Sequence, residues 1–185
     1  MNFNKHYDLE GKHAFLGASK YHWLNYSEEK VAESYLKAMA TAKGTELHEF
    51  AAQCIRLGQK LPNSKKTLNM YVNDAIGYGM TPEQPLYYSE FCFGTADTIC
   101  FRKKLLRIHD YKSGVTPARM EQLEIYAALF CLEYHIKPTD ISFELRIYQS
   151  DEVVVHIPTA DDIYHIMDKI ITFDKLLTKI ALEEA

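Results

Sequence analysis

Three features of the sequence predict a mixed α/β fold. Residues 13–78 carry mostly helical periodicity, two β-rich runs between 86 and 111 are joined by a short basic turn, and a second strand pair at 141–157 precedes an amphipathic helix. A length of 185 residues suits one domain with a real core. The expected parts are a mainly helical segment 1–85, a sheet core 86–157 that includes a helix over 118–134, and a C-terminal helix over 159–185.

In chain order, residues 1–12 are polar and read as an arm. Ser19 suits the N-cap of a short helix bearing Tyr21, Trp23 and Leu24. Trp23 and Tyr26 are read first as packing residues. Glu28 to Leu61 is helical, with a weak point at Gly44-Thr45 and an apolar face of Leu47, Phe50, Ala51, Cys54 and Ile55. Pro62-Asn63-Ser64 breaks the chain, and Lys66 to Tyr78 forms a helix stopped by Gly77, Gly79 and Pro82. The sheet is expected to begin at Leu86. Leu86–Phe93 and Thr95–Phe101 then make one arm bent or bulged at Gly94, and Leu105–Tyr111 makes the other. Pro117 starts the next helix, with Leu123, Tyr126, Ala127, Phe130 and Tyr134 inward. Ile141–Gln149 and Glu152–Ile157 form a hairpin about Ser150-Asp151. Thr159 and Asp162 cap a last helix bearing Ile163, Ile166, Met167, Ile170, Leu177 and Ile180.

Composition narrows the function classes. A hydrophobic fraction of 47% with 25% charged residues is ordinary for a globular protein. No apolar run reaches the ~18 residues of a membrane span, and M-N-F-N-K-H-Y-D has no apolar signal region. A cytoplasmic protein without membrane partners is expected. Cys54, Cys92, Cys100 and Cys131 are scattered without a C-x-x-C pair, which reads as free buried thiols, with no zinc site and no iron–sulfur cluster. The net charge of −4 disfavours a tight, independently acting DNA binder. Cations nevertheless gather at Arg56, Lys60, Lys65, Lys66 and again at Arg102, Lys103, Lys104, Arg107.

The chemistry concentrates between Glu90 and Tyr126. With Lys103 and Lys104 as the turn, Arg102 pairs with Leu105 and Asp97 falls opposite Asp110. Facing side chains have Cβ atoms ~5 Å apart, so these carboxylates repel unless something positive intervenes. Lys112 points to the same face as Asp110. The plain alternative is a solvated face with one salt bridge. Two carboxylates and a lysine also describe a hard-cation site. His109 faces away and reads as structural, and Glu90 lies on the other face unless Gly94 inserts a bulge. His48 flanks an apolar helix face, where a lone histidine is ordinarily structural.

Four segments carry a resemblance: K-G-T-E-L-H-E-F (within His13 to Ala52), G-T-A-D, D-Y-K-S-G, and Q-L-E-I-Y. In this order they resemble the RecB-like branch of the PD-(D/E)XK nuclease superfamily, and its small phage and prophage proteins, over residues 13–130. The resemblance implies a restriction-endonuclease-like core, with a central mixed sheet flanked by helices and a helical N-terminal part. It implies metal-dependent DNA cleavage, with exonuclease action expected, in phage DNA recombination, repair or replication inside the host cytoplasm. His48, Asp97, Asp110 and the backbone carbonyl of Tyr111 would hold one or two Mg²⁺ or Mn²⁺ ions, the imidazole favouring Mn²⁺. Lys112 would orient a water, with Gln122 and Tyr126 beside it, and Ser19, Ser113, Arg102 and Lys103 would meet nucleic acid. Partners would be DNA and either further copies or phage recombination and replication proteins. The alternatives are a nuclease-like module that binds DNA or protein without cutting, and a metal enzyme with a non-nucleic substrate.

Overall fold

The computed structural model describes residues 14–183. The arm 1–12 and His13 lie outside the described residues. The chain divides into two compact units, Met1–Lys43 and Gly44–Ala185.

The first unit holds a 3-10 helix, Ala18–Asn25, and the start of helix α1, Glu28–Leu57. Ser19 sits inside the 3-10 helix, and the N-cap is Gly17, without a side-chain bond. The expectation of a Ser19 cap is therefore corrected. Trp23 is partly buried and its indole N–H donates to the Gly17 carbonyl at 3.1 Å. Phe15 packs edge-on against Tyr35.

Helix α1 does not break at Gly44. A Cβ there would stand 3.1 Å from Ser113 Oγ, so glycine permits a close approach of helix and loop. The helix ends at Leu57, four residues earlier than expected, because Gly58 turns the chain at φ +65°.

The second unit continues with α2, Thr67–Tyr78, closed by Gly79 in the left-handed conformation. Five strands follow, β1 Thr81–Ser89, β2 Cys92–Arg102, β3 Leu105–Lys112, β4 Ser142–Gln149 and β5 Glu152–His156. Helix α3, Glu121–Glu133, lies between β3 and β4, and α4, Ala160–Glu183, follows β5. The sheet runs β1-β2-β3-β4-β5, with β3 and β4 parallel and every other pair antiparallel. A parallel pair needs a crossover, which α3 supplies.

The sheet begins at Thr81 rather than Leu86, and the expected single bent arm is two strands joined at Glu90-Phe91. Pro82 and Pro85 hid β1 from a strand reading, yet an edge strand tolerates proline because one side has no ladder to serve. Gly94 pairs regularly with Leu86, and the irregularity lies between Tyr87 and Ser89. A Cβ on Gly94 would stand 2.9 Å from the Tyr126 ring, so its glycine serves packing rather than a bulge. Both remaining hairpin turns match the sequence. Lys103, Lys104, Ser150 and Asp151 all have positive φ, as two-residue turns of this twist require.

Helix α3 starts at Glu121, not at Pro117. Gln149 holds the preceding loop: its amide donates to the carbonyls of Gly114 (2.6 Å) and Thr116 (2.8 Å) and accepts from Ala118 N–H (3.1 Å). Those backbone groups are satisfied outside a helix.

Two apolar cores sandwich the sheet. Leu86, Ile99, Leu106, Ile108, Leu145 and Ile147 pack on α3 and on Ile163 of α4. On the opposite side Ala51, Cys54 and Ile55 of α1 and Tyr71, Val72 and Ala75 of α2 meet Cys100, Tyr111 and Tyr148. The four cysteines are free thiols divided between the two sides; Cys54, Cys100 and Cys131 are buried, whereas Cys92 on β2 is only half-buried, a correction to the expectation. No helix among the described residues is long and apolar enough to cross a membrane.

Candidate active site

The site forms where β1, β2 and β3 share one irregular rung. Pairs Pro82–Thr98 and Gln84–Ala96 flank Glu83 and Asp97, and the β2–β3 ladder stops at Thr98–His109, one step short of Asp97 and Asp110. Ala96 and Ile99 lie in the same core although they are three residues apart, so side-chain alternation resets across Asp97. Glu83 has φ +51°, a left-handed conformation costing a non-glycine residue on the order of 1 kcal/mol.

At this rung Asp97 Oδ2 accepts the Tyr111 backbone N–H at 2.9 Å and stands 3.4 Å from His48 Nδ1. The Tyr111 ring is buried between His48, edge-on at 5.2 Å, and Tyr71, stacked at 5.5 Å. His48, Glu83 and Asp97 each present one ligand atom, and these three atoms lie within 4.8 Å of one another. Burial and the neighbouring Asp110 push the Asp97 carboxyl up to about 6, against the opposing pull of the Tyr111 N–H, His48 and Lys112. Burial also raises Asp110, with Lys112 opposing.

Asp110 is 1% exposed. Lys112 Nζ donates to its Oδ1 at 3.2 Å and stands 3.0 Å from its Oδ2. The second contact lacks hydrogen-bond alignment, which leaves Asp110 Oδ2 buried without a donor. Lys112 Nζ also donates to Gln122 Oε1 at 3.2 Å, and Gln122 Nε2 donates to the Tyr126 hydroxyl at 3.1 Å. Asp110, Lys112, Gln122 and Tyr126 thus form one chain of contacts from β3 to α3. The i,i+4 spacing on α3 puts the last two on one face.

Of the residues predicted from sequence, His48, Asp97, Asp110, Lys112, Gln122, Tyr126 and Tyr111 meet here. Ser113 is exposed just beyond β3 and lines a cleft of ≈ 340 Å³ with Lys66, Tyr111 and Lys112. Arg102 and Lys103 lie at the far end of the hairpin, five residues from Asp97 along β2, about 16 Å at strand rise. There the Arg102 guanidinium lies against Gly79, where a Cβ would stand 2.7 Å from it. Ser19 belongs to the first unit. Glu90 is exposed in the β1–β2 turn.

Glu83 was missed. Its signal was register arithmetic: once β1 is seen to pair with β2, Glu83 faces Asp97. His109 points to the opposite side, as expected. It is buried with Nδ1 3.3 Å from the Tyr148 hydroxyl, and burial with Arg146 and Arg107 nearby lowers it to about 3.

A divalent cation fits this donor set. One imidazole nitrogen and two carboxylates already converge, and beside them Asp110 adds a buried carboxylate whose Oδ2 has only the Lys112 ammonium, 3.0 Å away, against its charge. Carboxylates kept this close in a partly buried site repel each other, and positive charge relieves that repulsion. No family model, curated protein or solved structure matches the chain.

Proposed function

We propose that this protein is a metal-dependent DNA nuclease, acting as an exonuclease, with a restriction-endonuclease-like core. The observation that carries the reading is Asp97 close to Asp110, one step past the last β2–β3 pair, with Lys112 held on Asp110 and His48 and Glu83 at Asp97. The order of three antiparallel strands, a crossover helix and a parallel strand supports the fold assignment. The phage recombination, repair or replication role rests on the sequence resemblance alone.

His48, Glu83, Asp97 and Asp110 would hold Mg²⁺ or Mn²⁺. When bound, such an ion supplies Lewis acidity toward the scissile phosphate and lowers the pKa of a water. Lys112 has the geometry to hold a water or a phosphate oxygen. Its ammonium keeps one N–H beyond those given to Asp110 and Gln122, and both acceptors fix its position. Tyr126 holds Gln122 through the amide N–H, which leaves the amide oxygen turned toward Lys112. The Tyr111 N–H anchors Asp97 so that its carboxylate remains at the rung.

The experiment is incubation of linear single- and double-stranded DNA with Mg²⁺, with Mn²⁺ and with EDTA, beside Asp110→Ala and Lys112→Ala. Cleavage that needs metal and disappears in both folded variants supports the nuclease, and shortening from the ends supports exonuclease action. Folded wild-type protein that cuts no DNA with either ion favours the non-cutting binding module, which the net charge of −4 also suits.

A further inference from the structure

We propose that the groove between α3 and α4 docks a basic amphipathic helix of a partner protein, a role independent of the nuclease reading. The groove is a cavity of ≈ 740 Å³ with an apolar floor that includes Ile125, Ile166, Ile170 and Phe173. Five carboxylates line it, Glu121, Glu124, Asp161, Asp162 and Asp174, against the single lysine Lys169, with His165 beside them. That excess of four negative charges equals the net charge of the whole chain, −4. Such a surface repels a polyphosphate and attracts a cationic occupant.

Two of the carboxylates are already engaged. Glu124 lies 2.8 Å from His156 Nε2, and Asp162 accepts the Thr159 N–H at 2.8 Å and its hydroxyl at 2.6 Å. Glu121, Asp161 and Asp174 remain to face an occupant, and Asp174 Oδ1 is buried without a hydrogen bond.

The shape of α4 supplies the apolar half of the argument. It has 24 residues against 13 in α3, so it is about 16 Å longer at ~1.5 Å per residue. Ile163 is buried, and Ile166, Met167 and Ile170 pack against the core. Beyond them Phe173, Leu176, Leu177 and Ile180 are exposed at helical spacing. A contiguous exposed apolar stripe rimmed by charge marks an interaction surface. A helix lying along it would cover the stripe with its apolar face and set Lys or Arg against Glu121, Asp161 and Asp174. A second copy docked symmetrically would instead press the same carboxylates together.

The test is fluorescence anisotropy with a labelled amphipathic Leu/Lys helix peptide and a Leu/Glu peptide of the same apolar pattern. Two variants at exposed positions are compared with wild type, Glu121→Lys/Asp161→Lys and Phe173→Ser/Leu177→Ser. They alter disjoint residues, so a misfolded variant, detected by circular dichroism, leaves the other to decide. Saturable micromolar binding of the Leu/Lys peptide is expected, weakened about tenfold or more in each folded variant and for the Leu/Glu peptide. Equal binding by wild type and variants, or no binding by wild type, overturns the proposal. So does a wild-type dimer in sedimentation that the Ser variant dissociates, which would assign the stripe to a second copy.

Discussion

Asp97 carries two opposing demands. Its carboxyl is raised to about 6 because it is buried beside Asp110, so in metal-free protein its ionised form is destabilising. The unfolded chain ionises this group near its ordinary value of ~3.9, so between about pH 4 and 6 the folded state binds more protons and stability falls as pH rises. His109 acts in the other direction. Lowered to about 3, it stays neutral while an unfolded histidine charges below ~6.5, so its contribution is lost as pH falls through that range. The clean measurement is therefore a difference. In EDTA, Asp97→Asn should gain stability over wild type progressively from about pH 4 to 6, and the gain should level off above. Thermal melts across pH would check it. An unchanged difference would mean that burial and the neighbouring Asp110 do not raise the Asp97 carboxyl.

The same residue links pH to function. Metal ligands bind deprotonated, so the metal affinity of wild-type protein should rise with pH through about 6. Lys112→Ala should lose roughly 10²–10⁴-fold in cleavage rate while still binding metal, as expected of a group that handles water or phosphate rather than the ion. Comparing single-turnover rates with metal titrations separates the two effects.

At the scale of elements, the β1–β2–β3 rung and α3 cooperate. Gly94→Ala would drive a Cβ to 2.9 Å from the Tyr126 ring, and the cost should be about 1–3 kcal/mol if the ring cannot give. Displacing Tyr126 also disturbs Gln122 and Lys112, so cleavage should fall further than in Tyr126→Phe, which keeps the ring and removes only the hydroxyl. Urea melts and rates on both variants would show this. The other hairpin end offers a contrast. Replacing Lys103 with Asn and Lys104 with Gly relieves two positive-φ residues and should stabilise by about 1 kcal/mol. If Arg102 and Lys103 grip DNA, as their place in a basic cluster suggests, the same change flattens the salt dependence of binding. If the turn is purely structural, only the melting temperature moves.

These elements also mark how far the sequence could be read. The β2–β3 register was legible because a two-residue turn fixes it, and one step past its last pair, Thr98–His109, come Asp97 and Asp110, with Lys112 two residues beyond Asp110. The Gln122–Tyr126 edge was legible from helical spacing. Glu83 was not, because Pro82 and Pro85 disguised β1 and because its left-handed backbone has no signature in T-P-E-Q-P. The start of α3 was obscured by a tertiary contact: Gln149, some thirty residues downstream, satisfies the loop that Pro117 would otherwise have opened as a helix. Glycine at Gly44 likewise has a tertiary reason that helical propensity does not see, since a Cβ there would stand 3.1 Å from Ser113 Oγ.

At the scale of the molecule, charge is distributed rather than uniform. Five carboxylates face one lysine in the α3–α4 groove, whereas Lys66 and Lys112 face the single Asp151 in the cleft beside the candidate site. A chain of net charge −4 whose cleft offers Lys66 and Lys112 should bind DNA weakly and with a shallow salt dependence, within the non-specific range of roughly 10⁻⁴–10⁻⁶ M at physiological salt. Filter binding in Ca²⁺ over a salt series would check that expectation. Tight binding insensitive to salt would point to a recognition surface other than this cleft.

His48, Glu83, Asp97 and Asp110, drawn from one helix and three strands, are the proposed holders of a divalent ion. Titration of the free protein with Mn²⁺, followed by the loss of the free-ion electron paramagnetic resonance signal, tests that assignment without reference to cleavage. Saturable binding is expected that disappears in Asp97→Asn, weakens about 10–100-fold in Glu83→Gln and persists in Lys112→Ala. No saturable binding by folded wild-type protein, or equal binding by all four proteins, would contradict it.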